Sequence, residues 1–109
     1  MAFDEGLTER IRKQLPGQKA LAEKKMFGGL AFLLNGNMCC GVHRSELIVR
    51  LEPAQTAAAL AKPHTRVFDL SGRPMKGWIL VDRAGLADEP ALAKWLRLGA
   101  KYAASLPRK

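Results

Sequence analysis

Asn35-Gly36 stands between two apolar runs, Leu30-Ala31-Phe32-Leu33-Leu34 and Asn37-Met38-Cys39-Cys40-Gly41-Val42-His43. Both residues of the dipeptide tolerate the positive φ of a type I′ turn, so the runs are committed to an antiparallel hairpin. A two-residue loop sets Leu33 opposite Met38, Phe32 opposite Cys39 and Ala31 opposite Cys40. Both faces of the hairpin are then largely apolar. That predicts a central place in a sheet, buried at least partly on each side.

The flanking segments extend this frame. Asp4 can cap a helix over residues 4–15, with Leu7, Ile11 and Leu15 on one face and Pro16-Gly17 ending it. Residues 19–26 leave two readings open: their side chains favour helix, yet the segment can also run as a strand into Gly28-Gly29. Leu47-Ile48-Val49-Arg50-Leu51 reads as a strand, joined to the hairpin by His43-Arg44-Ser45-Glu46. Pro53 opens a second helix through the alanine-rich residues 54–61, which stops before Pro63. Val67-Phe68-Asp69-Leu70 reads as a short extended segment and Trp78-Ile79-Leu80-Val81-Asp82 as a strand. The last helix, over residues 88–105, has Asp88, Glu89 and Pro90 at its start. Its stripe comprises Leu92, Trp95, Leu96, Gly99, Tyr102, Ala103 and Leu106, with Lys94, Arg97 and Lys101 on the other face. The expectation is an α+β fold in the order α-β-β-β-α-β-α, with a mainly antiparallel sheet of about four to five strands and helices packed on it.

The chain has 109 residues and is read as one domain over residues 1–109. A chain of that size buries about two-thirds of its unfolded surface, enough for a core without metal or disulfide staples. No apolar run approaches the roughly 20 residues that span a bilayer, and the acidic N-terminus lacks the order of a signal peptide. A cytoplasmic protein without membrane contact is expected. The net charge of +8 favours an acidic partner. The excess is spread along the chain, however, and aromatic residues are too scarce for an evident base-stacking platform. A solvated basic surface and a functional anion-binding face are both compatible with it.

Candidate chemistry is sparse. Cys39 and His43 lie on one face of a regular strand about 13 Å apart at about 3.3 Å per residue, and Cys40 faces the other way. Zinc ligands must approach far more closely, so no metal and no other cofactor is expected. Adjacent cysteines in a strand point apart, so two buried free thiols are expected rather than a disulfide. Gly72-Arg73-Pro74-Met75-Lys76-Gly77 has the look of a phosphate loop. It lacks the Gly-Lys-Ser/Thr ending, and a strand follows it rather than a helix. Arg73 and Lys76 can still share an anion there; the plainer reading is a turn that aims Trp78 into the core. Arg50, a cation in an apolar strand, either reaches the outer face or carries its stem past a helix, where it can meet an anion. Glu52 and Asp69 have no second acid or base at a recognisable spacing. Ser71, His64 and Asp69 make a triad in composition only. No catalytic residues are assigned.

Taken together, Met26-Phe27-Gly28-Gly29, Phe32, Asn35-Gly36, Met38, Gly41-Val42, Leu47-Ile48-Val49-Arg50, Gly72-Arg73-Pro74-Met75-Lys76-Gly77-Trp78 and Trp95 resemble the TfoX N-terminal domain-like proteins. These are related to the TfoX/Sxy regulators of bacterial natural competence. The resemblance runs from about Lys24 to Pro107. It implies a compact α+β domain with an antiparallel sheet and brings no catalytic residue set. The full-length regulators carry a further C-terminal helical domain, so a stand-alone N-terminal-type domain is implied here. The leading expectation is a non-enzymatic regulatory or interaction domain, possible ties being to transcription or competence. Its partner would be a protein, with weak, non-specific nucleic-acid binding and homodimer formation as further expectations. The alternative is a small-molecule or anion-binding protein, or an enzyme, using Arg50, Arg73 and Lys76.

Overall fold

The computed structural model describes residues 4–14, 21–26, 29–34, 36–68 and 77–107. Asp4 starts helix α1 (Glu5–Gln14) as expected: its carboxylate accepts from the Leu7 N–H at 3.0 Å, and its carbonyl from the Thr8 hydroxyl at 2.9 Å. Four strands follow, β1 (Leu21–Met26), β2 (Gly29–Leu34), β3 (Asn37–His43) and β4 (Glu46–Arg50). A 3-10 turn over Pro53–Gln55 leads into the short helix α2 (Thr56–Leu60). Strands β5 (Thr65–Val67) and β6 (Trp78–Val81) then precede a 3-10 turn over Arg83–Leu86 and helix α3 (Glu89–Ser105). Asp88 caps α3 through the Ala91 N–H at 2.8 Å. No described helix is long and apolar enough to cross a membrane.

Among the described residues the sheet has six strands in the order β1-β2-β3-β4-β6-β5, every neighbouring pair antiparallel. The additional strand comes from the segment that local preference left open. Leu21–Met26 is rich in helix formers, yet it pairs along its whole length with Gly29–Leu34. Ladder hydrogen bonds from a ready-made partner outweigh helix preferences of a few tenths of a kcal/mol per residue.

The hairpin departs from its expected register at one place. Leu33 pairs with Met38 as expected, but Phe32 pairs with Cys40 and Ala31 with Gly41. Cys39 is the extra residue of a β-bulge, two residues facing one across the ladder. The bulge removes the alternation on which the cysteine geometry was based. Cys39 and Cys40 both join the cluster beneath the helices, and their sulfurs lie 3.8 Å apart. Both are buried and free.

All three helices cover one face of the sheet. Leu7 and Ile11 of α1, Ala59 of α2, and Leu92, Trp95, Leu96 and Ala103 of α3 join Phe32, Val42, Leu47, Val49, Ile79 and Val81 in one core. α3 can lie this close because Gly99 has no side chain: a Cβ there would stand 2.3 Å from the Cys39 carbonyl oxygen. On the opposite face a smaller cluster joins Ala31, Met38, Ile48, Phe68 and Leu80, with Leu33 and Trp78 at its margin. The hairpin is therefore buried on both sides, as its doubly apolar pattern predicts.

Gly77 ties the end of β4 to the start of α2. It adopts φ +89, which disfavours any side chain. Its carbonyl accepts from the Leu51 N–H at 2.7 Å, and its own N–H donates to the Thr56 hydroxyl at 2.8 Å. Thr56→Val keeps the shape but leaves that buried N–H without an acceptor. The expected loss is about 1–3 kcal/mol, measurable by urea denaturation. An unchanged midpoint would show that the hydroxyl is dispensable.

Two ionic clamps fix α1. The Arg12 guanidinium forks onto Glu23 of β1 at 2.7 and 2.8 Å and also reaches Glu9. Arg10 donates to Glu89 at 2.5 Å and to the Leu86 carbonyl at 2.7 Å, and Gln14 donates to Glu89 at 2.9 Å. Glu23 is held below its ordinary value of 4.5 by Arg12, and Glu89 by Gln14 and Arg10. A carboxyl depressed by folding contributes stability above its unfolded pKa, and that contribution disappears as pH falls through the folded value. Below about pH 4.5 the amide signals of α1 and β1 should therefore shift before those of β3. An acid titration followed by two-dimensional NMR reads this directly, and simultaneous loss of all three elements would contradict it.

Candidate functional site

Arg50 closes β4 on the face away from the helices, where the register pairs it with Trp78 of β6. The guanidinium carbon lies 5.2 Å from the centre of the Trp78 ring and 5.5 Å from that of Tyr102 on α3. Both distances are those of cation–π contacts. The charge has thus reached the outer face and also passed to a helix, uniting the two routes that the sequence left open. Trp78 in turn packs on Phe68, ring centres 5.7 Å apart and tilted by 37°. Trp78 is partly buried and packs against the second cluster, so it anchors the margin of that core rather than its centre. It closes the margin of the second cluster and offers part of its ring to Arg50. Arg73 and Lys76, with Asp69 and Ser71 before them, lie outside the described residues.

Among the described residues, Arg50 forms no ion pair with a carboxylate. The group can therefore present a partly desolvated positive charge framed by two rings. Among those same residues, no three His, Cys, Asp or Glu side chains come together as a metal site would need. Burial and the neighbouring Cys39 thiol push Cys40 well above the ordinary thiol range, Cys39 being the larger cause. Cys40 therefore stays a protonated packing group.

A family model for the TfoX N-terminal domain matches residues 13–103. The chain belongs to the TfoX N-terminal domain family. No curated protein and no solved structure gives a significant match. The match confirms the resemblance drawn from the glycine-punctuated motifs and spans every strand of the sheet. Arg50, Trp78 and Tyr102 all fall inside it, so their grouping is built on the framework of a TfoX N-terminal domain.

A second group has no counterpart in the sequence reading. Lys62 and His64, in the turn between α2 and β5, face Lys94 and Trp95 of α3 across a cleft of about 390 Å³. The Lys62 ammonium lies 5.6 Å from the centre of the Trp95 ring. Lys62 is held below its usual value chiefly by the Lys94 ammonium beside it. Lys94 reads as solvated from its place on the polar side of α3, and Trp95 as core. Only the fold brings Lys62, far away in the chain, to both of them. A further cleft of about 450 Å³ runs between α1 and the Arg83–Leu86 turn. There Arg10 is already engaged by Glu89.

Proposed function

We propose that this chain is a non-enzymatic interaction domain that recognises a protein partner through Arg50, Trp78 and Tyr102. The observation that carries this reading is the composition of the group itself. Arg, Trp and Tyr are the residue types most enriched among those that dominate binding energy at protein interfaces. Here they are assembled on one surface, with the guanidinium already oriented by two rings. Mutual packing lowers the entropy that would otherwise be lost when a long side chain is immobilised on binding. The complementary feature on the partner is an acidic side chain placed against Arg50. Arg73 and Lys76, which precede Trp78 closely in the chain, would strengthen that preference. Membership of the TfoX N-terminal family supports a setting in transcription or competence regulation, in the cytoplasm.

The test is affinity capture from native cell extract with the wild-type chain and with Arg50→Ala and Tyr102→Ala, each before and after nuclease treatment. A protein retained by the wild type through nuclease and lost by both variants supports the reading. Retention by both variants, or complete loss on nuclease treatment, overturns it. Nucleic-acid binding itself should be weak, independent of sequence and steeply reduced by salt, because dispersed cations neutralise phosphates without reading bases. Fluorescence anisotropy across a salt series measures this, and tight binding that survives high salt would contradict it.

A further inference from the structure

The cleft between the α2–β5 turn and α3 brings two like charges together. Lys62 and Lys94 both line it, and neither has a carboxylate partner among the described residues. The nearby acid, Asp82, faces His64, with its oxygen 3.4 Å from Nδ1, and also accepts the Gly85 N–H. The turn that presents Lys62 is strained: His64 has φ +67. For a residue other than glycine that conformation is strained, and such strain concentrates where a particular presentation of side chains matters.

The cleft continues into an apolar slot. A cavity of about 150 Å³ shares Lys62 and Trp95 with it and is otherwise walled by Leu51, Gln55, Ala58, Ala59 and Leu98. Leu51 and Ala59 belong to the core, so this wall is built into the fold. Lys62 and the Trp95 indole therefore border both the cleft and the hydrophobic recess, and Lys94 lines the cleft beside them.

We propose that this cleft is a binding site for a small amphipathic carboxylate. Each lysine donates to one carboxylate oxygen, and a short apolar body enters the slot against Leu51, Ala59 and Leu98. Two donors match two oxygens, and the anion relieves the repulsion between the ammonium groups. The apolar body accounts for the slot, which a bare anion would leave unused. This site shares no residue with the Arg50 group and does not depend on how that group functions.

The experiment is an NMR titration of the ¹⁵N-labelled chain with hexanoate, and separately with acetate, hexan-1-ol and inorganic phosphate. The signals to follow are the backbone amides of Lys62, His64 and Lys94 and the indole N–H of Trp95. Hexanoate should give saturable shifts at these positions, with acetate, phosphate and hexan-1-ol each weaker by about tenfold or more. Lys62→Gln and Lys94→Gln should each weaken hexanoate by a similar factor while the remaining spectrum stays unchanged, since both side chains are exposed. Acetate or phosphate binding as well as hexanoate would reduce the site to a bare anion site and overturn the proposal. So would hexan-1-ol matching hexanoate, shifts that fail to saturate, or full affinity in the Lys62→Gln/Lys94→Gln double variant.

Discussion

Gly99→Ala should destabilise the protein, although alanine is the better helix former. In the interior of α3 the exchange gains about 1 kcal/mol of helix preference. Against that, the new methyl would stand 2.3 Å from the Cys39 carbonyl oxygen, and its neighbour there is backbone. The carbonyl belongs to the bulge of β3, in the middle of the sheet, where moving it displaces the paired residues on either side, Met38 and Cys40. α3 must therefore lift, which loosens Leu92, Trp95, Leu96 and Ala103 together. Overpacking of this kind costs about 1–3 kcal/mol and more where the obstacle is rigid. A net loss of up to about 2 kcal/mol is expected, and more if the carbonyl does not yield, read from the midpoint of urea unfolding. A larger side chain, as in Gly99→Leu, should prevent folding. A more stable Gly99→Ala protein would show that helix and bulge separate easily.

Phe32→Ala should cost about 3–5 kcal/mol. Phe32 is fully buried in the larger core, on the strand that faces the bulge, and its register partner is Cys40. Its removal opens a cavity between the sheet and the helices where two thiols already pack as small groups, so little stands ready to fill the space. Domains of this size are stable by only about 5–15 kcal/mol, and the variant should be close to unfolding at ambient temperature. Thermal and chemical denaturation both measure this. A loss below about 1 kcal/mol would mean that the core rearranges freely around the site.

What could be read in advance divides along physical lines. The β2–β3 hairpin, both long helices and their caps were legible because the signals are local: Asn35-Gly36, Asp4, Asp88 with Pro90, and the stripe from Leu92 to Ala103. Strand β1 was not decided, because Leu21–Met26 becomes a strand through a partner rather than through its own preferences. The bulge at Cys39 was invisible for a related reason. Alternation assumes an even ladder, and nothing in Met38-Cys39-Cys40 announces the extra residue. The approach of α3 at Gly99 is what the irregular backbone accommodates, and it involves two residues far apart in the chain. Of the site, Arg50 stood out as a charge within an apolar strand, and its route to an outer face was legible. Its second ring, Tyr102, falls in the apolar stripe of α3 by spacing, yet it lies only partly buried. The Lys62–Lys94 cleft had no local signal at all, since each lysine looks like an ordinary solvated cation.

The two outer strands bear on how the molecule behaves in a crowded solution. β1 ends the sheet on one side with Glu23, Lys24 and Lys25 exposed, and β5 ends it on the other with only Thr65–Val67. A long, flat, apolar margin invites another chain to extend the sheet, whereas charges and brevity discourage it. Lysines on β1 would meet lysines of a second copy if two such margins aligned in register. Extension of the sheet by another chain is therefore disfavoured at both described edges, by charge at β1 and by brevity at β5.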